Sequence, residues 1–333
     1  MVHPFGRCPG GYEMSMWELH RLVTESESIL VATHRDPDGD AIGSLLGFSR
    51  MLRLLGKKPW AYCPDGIPGT LSFLSGIDEV HADVPPERSF ELTILLDTPS
   101  DMLLPAGFPE RSRLGTMVVI DHHAVHGQLG DVVIRREVSS VGELLLDLQK
   151  QLSWPMDQAV AECLYTSIVS DTGSFCYSNT TADTHRAAAE LIAAGARPGV
   201  VATALFESYS VRRQRLLAAV LKTLTIGAGG RLAMVHCTPQ MLLDAGAVEA
   251  DLVGMIDFAR AIDTVKVAAM FRLESTGNIR VSLRSKGDFD VAAVAARYGG
   301  GGHRKAAGCT LEGVGLVGGR AVIWDTIKEM LSQ

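Results

Sequence analysis

The residues of this chain with the most chemical capacity sit where short apolar runs stop. Met117-Val118-Val119-Ile120 runs into Asp121-His122-His123, Ile29-Leu30-Val31-Ala32-Thr33 into His34-Arg35-Asp36-Pro37-Asp38-Gly39-Asp40, and Leu92-Thr93-Ile94-Leu95-Leu96 into Asp97. A longer apolar stretch, Met156 to Ser170, ends at Asp171-Thr172-Gly173-Ser174. Taken singly, an Asp at such a place is commonly a helix cap, and a His is commonly satisfied by a backbone partner. Taken together, three strand ends delivering Asp and His to one edge imply one site, because ligands of open α/β sheets gather outside the carboxyl ends of strands. Asp38 and Asp40 lie two apart, so an extended segment would point both the same way, with Gly39 allowing a tight turn and Pro37 stiffening the approach.

His34, Asp38, Asp40, Asp97, His122 and Asp171 amount to four carboxylates and two imidazoles. Four carboxylates crowded in a partly buried site are prohibitively costly without cations, and two divalent ions would cancel their charge. Oxygen and nitrogen donors with no thiolate favour manganese or magnesium and leave zinc and iron open. Two ions about 3.5–4 Å apart suit in-line hydrolysis at phosphorus, where they deprotonate a shared water and neutralise the attacked phosphate. A second set of residues, Gly299-Gly300-Gly301-Gly302-His303, allows main-chain N–H groups to converge on an anion. Arg284 can grip a phosphate through two parallel bonds, and His303 can add a donor.

The elements needed to hold these groups can be read from hydrophobic period. Through residue 152, strands at 29–33, 59–63, 92–96, 117–120 and 132–134 alternate with helical pieces at 17–27, 41–55 and 140–152, a pattern that predicts a doubly wound, mostly parallel sheet. Helices are expected at 156–170 and 184–194, then a helical stretch at 197–222 in which Arg212, Arg213 and Arg215 form a solvated face. The remainder reads as a smaller α+β domain. It has hairpins around Ala228-Gly229-Gly230 and Ser275-Thr276-Gly277, helices at 250–261 and 290–298, and a closing strand and helix. The expected division is a domain at 14–205, a helical linker at 206–222 and a second domain at 223–333.

Length and composition agree with two globular domains: 333 residues, 47% hydrophobic and 21% charged. No run of about 18 apolar residues is present, so no membrane span is expected. Met1 to Tyr12, rich in Pro and Gly without an apolar core, reads as a loose leader and not a signal peptide. The six cysteines are scattered with no CxxC pair, as for reduced core residues of a cytoplasmic protein. A net charge of −7 argues against a long track for duplex nucleic acid but leaves room for a short nucleotide gripped locally. Neither a Walker A sequence nor a dinucleotide fingerprint occurs.

His34-x-x-Pro37-Asp38-x-Asp40-x-x-Gly43-Ser44, Asp97, Asp121-His122-His123 and Asp171-Thr172-Gly173 resemble, in order, the four motifs of the DHH phosphoesterase superfamily. Ser282-Leu283-Arg284-Ser285 and the glycine run with His303 resemble the DHH-associated C-terminal domain, so the resemblance covers roughly 14–333. It implies a metal site in the N-terminal domain, a substrate-binding C-terminal domain and an active site in the cleft between them. It further implies that His34, Asp38 and Asp97 hold one metal ion, and that Asp40, Asp97, His122 and Asp171 hold the other, with Asp97 bridging. His123 would meet the substrate phosphate as a donor, and Asp121 would orient the His pair. Arg284, Ser285, Gly300, Gly301, Gly302 and His303 would hold substrate. Asp36 matches a variable position and takes no metal, and Thr98-Pro99-Ser100-Asp101 lacks an Arg that many relatives carry. Within the superfamily the layout is most similar to the oligoribonuclease and 3′-phosphoadenosine-5′-phosphate phosphatase group. That likeness implies a manganese-dependent (or magnesium-dependent) hydrolase of short RNA and small nucleotides, with a homodimer allowed. The main alternative is a phosphodiesterase for linear or cyclic dinucleotides such as pGpG or cyclic di-AMP. A RecJ-like exonuclease, a family II pyrophosphatase and a silent nucleotide sensor fit less well.

Overall fold

The computed structural model describes residues 12–13, 15–123 and 129–332, without the side chains of Tyr12, Glu13, His303 and Ser332. The expected leader, apart from Tyr12, lies outside the described residues. The chain divides into two compact units, Met1–Ser208 and Tyr209–Gln333.

Among the described residues of the first unit, seven strands run parallel: β1 (Tyr12–Glu13), β2 (Ile29–Thr33), β3 (Trp60–Tyr62), β4 (Val80–His81), β5 (Leu92–Leu96), β6 (Thr116–Asp121) and β7 (Val132–Arg135), in the order β1-β7-β6-β5-β2-β3-β4. From β2 the chain winds one way to β3 and β4, then crosses back to β5 and continues to β6 and β7. The order therefore reverses between β2 and β5, the switch point at which doubly wound sheets place their ligands. Every residue of β2 and β5 is buried, as expected when helices cover both faces of a parallel sheet.

The helices of this unit are α1 (Met16–Glu25), α2 (Gly39–Leu54), α3 (Val141–Leu152), α4 (Gln158–Asp171), α5 (Ala182–Ala193) and α6 (Pro198–Ala202). The decisive packing is α2 against α4. Gly39, Gly43 and Gly47 lie four apart along one face of α2, the face that meets α4. A Cβ at Gly43 would sit 2.5 Å from the Cys163 carbonyl oxygen, and one at Gly39 would sit 2.5 Å from Ser170 Oγ. Gly39 is therefore small to let two helices close, and not to make a turn as its loop context suggests. That approach brings Asp40 on α2 up to Asp171 on α4.

The second unit contains α7 (Val211–Lys222), β8 (Thr225–Gly227), β9 (Leu232–Cys237), α8 (Pro239–Ala245), α9 (Met255–Arg260), β10 (Val267–Leu273), β11 (Ile279–Ser285), α10 (Val291–Ala296), β12 (Gly301–His303), β13 (Ala306–Leu311) and α11 (Gly315–Ser332). Its sheet order is β12-β13-β11-β10-β9-β8, antiparallel except for β9 beside β10. Both expected hairpins form, with Ala228, Gly229 and Gly230 all at positive φ. The expected helix at 250–261 is broken at Gly254 (φ 77) into a short 3-10 turn and α9. The helix expected as a linker instead buries Leu216, Leu217 and Val220 in this unit's core. Arg213 is likewise not on a solvated face: it is 8% exposed, lies over the Tyr209 ring and donates to the Val253 carbonyl. Among the described residues, no single helix is long and apolar enough to cross a membrane.

Candidate metal centre

The carboxyl ends of β2, β5 and β6 converge with the starts of α2 and α3 and the end of α4. His34 follows β2. Its Nδ1 faces the Arg35 carbonyl at 2.7 Å, which can only accept, so the proton is on Nδ1 and Nε2 is left toward Asp97 Oδ2 at 3.3 Å. Asp38 is the N-cap of α2, its Oδ1 accepting from the Asp40 and Ala41 N–H groups, and Asp40 occupies the first helical turn. The two carboxylates thus arrive as cap and first-turn residue and not, as expected, along an extended segment. A helix start favours both electrostatically.

Asp97 ends β5 in a left-handed conformation (φ 54), an uncommon place for a residue with a side chain. It is 3% exposed, and its Oδ1 has no hydrogen-bond donor among the described residues. His122, just past β6, has its Nδ1 at 3.1 Å from the Val138 carbonyl. Its Nε2 lies 3.6 Å from Asp97 Oδ1 and 3.7 Å from both Asp40 Oδ2 and Asp171 Oδ2. His123 donates from Nδ1 to Asp121 Oδ1 at 2.7 Å. Asp121 therefore orients His123 alone, whereas His122 is held by backbone.

Ligand-capable atoms of His34, Asp38 and Asp97 lie within 4.8 Å of one another, as do those of Asp40, His122 and Asp171, and those of Asp97, His122 and His123. The six side chains expected to hold metal thus come together, with Asp97 beside both groups. Asp36 lies in none of them; its N–H bonds Asp65 Oδ2. The electrostatics show charge in excess. Burial holds the Asp97 carboxyl well above its usual range, and Asp40 and Asp38 push it further. Burial also raises Asp40, against the pull of His122, and burial together with Asp40 lifts Asp171 to about 7. For His122, burial opposes the charge, but Asp40, Asp97 and Asp171 outweigh it and lift the ring to about 9. Asp121 runs opposite: despite burial, the His123 hydrogen bond and charge hold it low. Carboxylates that repel one another around an orphaned buried oxygen, with imidazole nitrogens aimed among them, fit divalent cations.

In the second unit the sequence reading needs correction. Ser285 is buried, and its hydroxyl donates to the Phe289 carbonyl at 2.7 Å, with the Arg304 carbonyl 3.4 Å away, so its proton is engaged within the fold. The glycine run is not an open nest: the Gly299 and Gly300 N–H groups bond the Ala296 and Ala295 carbonyls at the end of α10, and 301–303 pair with β13. Gly300 is glycine because a Cβ there would lie 2.2 Å from the Gly308 carbonyl oxygen. Gly301 and Gly302 belong to the edge strand, and the His303 side chain lies outside the described residues. Arg284 projects from β11 opposite Ala306. Nearby in sequence, Lys305 has an ammonium shielded from solvent with no acceptor among the described residues, an anion-seeking group that the sequence reading passed over. It also missed Ser167 and Asn179, which touch Asp40 and Asp171; Ser and Asn are too common for spacing to single them out.

Residues 28–168 match the N-terminal domain of the DHH family, and residues 214–332 match the DHHA1 domain. The chain is 33% identical, over 96% of its length and 97% of the relative's, to the bifunctional oligoribonuclease and PAP phosphatase NrnA of Thermus thermophilus. It is 28% identical to the protein of the same name in Bacillus subtilis, over 88% and 92% of the two chains. An exopolyphosphatase-related protein of Bacteroides fragilis shares the fold, with a TM-score of 0.88 at 23% identity over 96% and 97% of the two chains. The chain belongs to the DHH phosphoesterase family, its DHH domain in the first unit and its DHHA1 domain in the second.

Proposed function

We propose that the protein is a manganese-dependent phosphoesterase that hydrolyses short oligoribonucleotides to 5′-mononucleotides and removes the 3′-phosphate of phosphoadenosine phosphate. The observation that carries the reading is the meeting of His34, Asp38 and Asp97 with Asp40, His122 and Asp171 at the switch point of the sheet. Full-length similarity to relatives named for both activities supports the substrate class.

His34, Asp38 and Asp97 would hold one divalent ion, and Asp40, Asp97, His122 and Asp171 the other. When bound, the ions would supply Lewis acidity at the phosphate and make a water easier to deprotonate into a nucleophile. The protein's own groups do the rest. Carbonyls fix the tautomers of His34 and His122, so both present Nε2. Asp121 fixes His123 through Nδ1, leaving Nε2 to meet the substrate. In the second unit, Arg284 and Lys305 supply positive charge for a terminal phosphate. Gripping a short substrate locally would explain how an acidic protein takes an anionic substrate without a basic groove. Cys63, Cys163, Cys237 and Cys309 are buried free thiols, which supports a cytoplasmic location.

The test is turnover by purified protein with Mn²⁺ on an oligoribonucleotide ladder beside phosphoadenosine phosphate, pGpG and cyclic di-AMP. Dimers to pentamers and phosphoadenosine phosphate are expected to lead. Preference for long RNA would overturn the reading, and preference for cyclic di-AMP would replace it with dinucleotide phosphodiesterase activity.

A further inference from the structure

Three of the groups expected to hold one ion, Asp40, His122 and Asp171, come from three elements distant in sequence. One four-residue turn, 138–141, is tied to all of them. The Val138 carbonyl accepts from His122 Nδ1 at 3.1 Å. The Val141 N–H donates to Asp40 Oδ2 at 2.9 Å. Ser140 caps α3, and its Oγ lies 3.3 Å from Ser167 Oγ, which donates to Asp40 Oδ1 at 2.6 Å. Ser167 has little freedom to do otherwise, because its oxygen accepts the Gly142 N–H at 2.8 Å and its proton is left for Asp40. Ser44 supplies a second donor to Asp40 Oδ1 at 3.0 Å. The fourth tie is indirect. Asn179 Nδ2 donates to the Ser139 carbonyl at 3.0 Å, to the Asp171 carbonyl at 3.1 Å and to Asp171 Oδ2 at 3.3 Å.

We propose that the turn 138–141 is the template that sets the ligands of one ion, with Ser167 and Asn179 as its positioning residues. This rests on the metal reading above and adds which residues tune one ion apart from the other. Every group the template offers is neutral. It orients the carboxylates without cancelling their charge, so their negative charge remains for the cation. Among the described residues, His34, Asp38 and Asp97 make no hydrogen bond to this turn: His34 Nδ1 faces the Arg35 carbonyl, and Asp38 caps the start of α2. A purely structural network would stabilise the fold and affect both ions alike, whereas a template affects one.

Mn²⁺ titration followed by electron paramagnetic resonance separates these. The full-length wild type should bind two ions. Asn179→Ala and Ser167→Ala should each weaken one of them about 10- to 100-fold, the range seen when a group that orients a metal ligand is lost, and leave the other unchanged. Turnover at limiting Mn²⁺ should fall in step and recover with excess Mn²⁺. Asn179 is half-buried and its variant is expected to fold, so it decides the matter alone if Ser167→Ala does not. Unchanged affinity at both ions, or equal weakening of both, would overturn the template while leaving the metal reading intact. Mn²⁺ binding that survives Asp97→Ala undiminished would instead overturn the metal reading itself.

Discussion

Asp97 is the residue on which the centre turns. It is buried, conformationally strained, flanked by His34, His122 and His123, and has one oxygen with no donor among the described residues. Asp97→Ala is expected to lower metal-dependent phosphodiester hydrolysis more than the roughly hundredfold typical of losing an orienting group, with the circular dichroism spectrum unchanged; retained turnover would contradict a bridging role. His123→Gln removes a donor held by Asp121 and should cost about 10²- to 10⁴-fold in kcat with little change in Mn²⁺ affinity. If Mn²⁺ affinity collapses instead, His123 is a ligand, as its place beside Asp97 and His122 would permit. At this scale the residue types were legible, because Asp and His at the ends of apolar runs have few competing explanations when they recur. Their individual partners were not. That Asp121 serves His123 and Val138 serves His122 depends on backbone geometry that spacing does not encode.

Among the elements, the packing of α2 on α4 decides whether the carboxylates meet. Gly43→Ala would set a Cβ 2.5 Å from the Cys163 carbonyl oxygen, backbone that cannot yield as a side chain could. It is expected to cost about 1–3 kcal/mol in urea denaturation, as overpacking does, and to weaken Mn²⁺ binding by parting Asp40 from Asp171. Normal stability with normal binding would show that the helices have slack. The glycine run teaches the converse. In sequence it looks like an anion nest, yet two of its N–H groups close the end of α10 and three of its residues join a strand. A glycine needed for close backbone approach and a glycine needed to bind an anion look the same until the neighbouring strand is in place.

For the molecule as a whole, the crowded carboxylates make stability without metal depend on pH. The Asp171 carboxyl is raised from 3.8 to about 7, so its contribution is full below its ordinary value and is lost as pH rises through about 7. His122, raised from 6.5 to about 9, contributes fully below 6.5 and loses that contribution as pH rises through about 9. Both slopes have the same sign. The melting temperature of chelator-treated protein should therefore fall between about pH 5 and about pH 9. The gain in melting temperature on adding Mn²⁺ should grow over the same range, because the ligands must be deprotonated to bind. A flat profile without metal would mean that the carboxylates do not face one another. The change from parallel to hairpin patterning points to two domains, and the chain divides into compact units at Ser208 and Tyr209. Val211–Lys222 carries four basic residues and no acidic one, as a solvated linker could, and its buried Leu216, Leu217 and Val220 place it in the second unit's core.

What the sequence determined by itself was the parallel sheet and the six metal-competent side chains, since hydrophobic period and strand-end chemistry are local properties written along the chain, and, through the resemblance of its motifs, the family. What the tertiary structure decided was which partner each of those side chains takes. Asp40 is aimed by Ser167 and Val141, Asp171 by Asn179, and His122 by Val138. Those donors and acceptors are up to 127 residues away in the chain, and only folding brings them within hydrogen-bond reach.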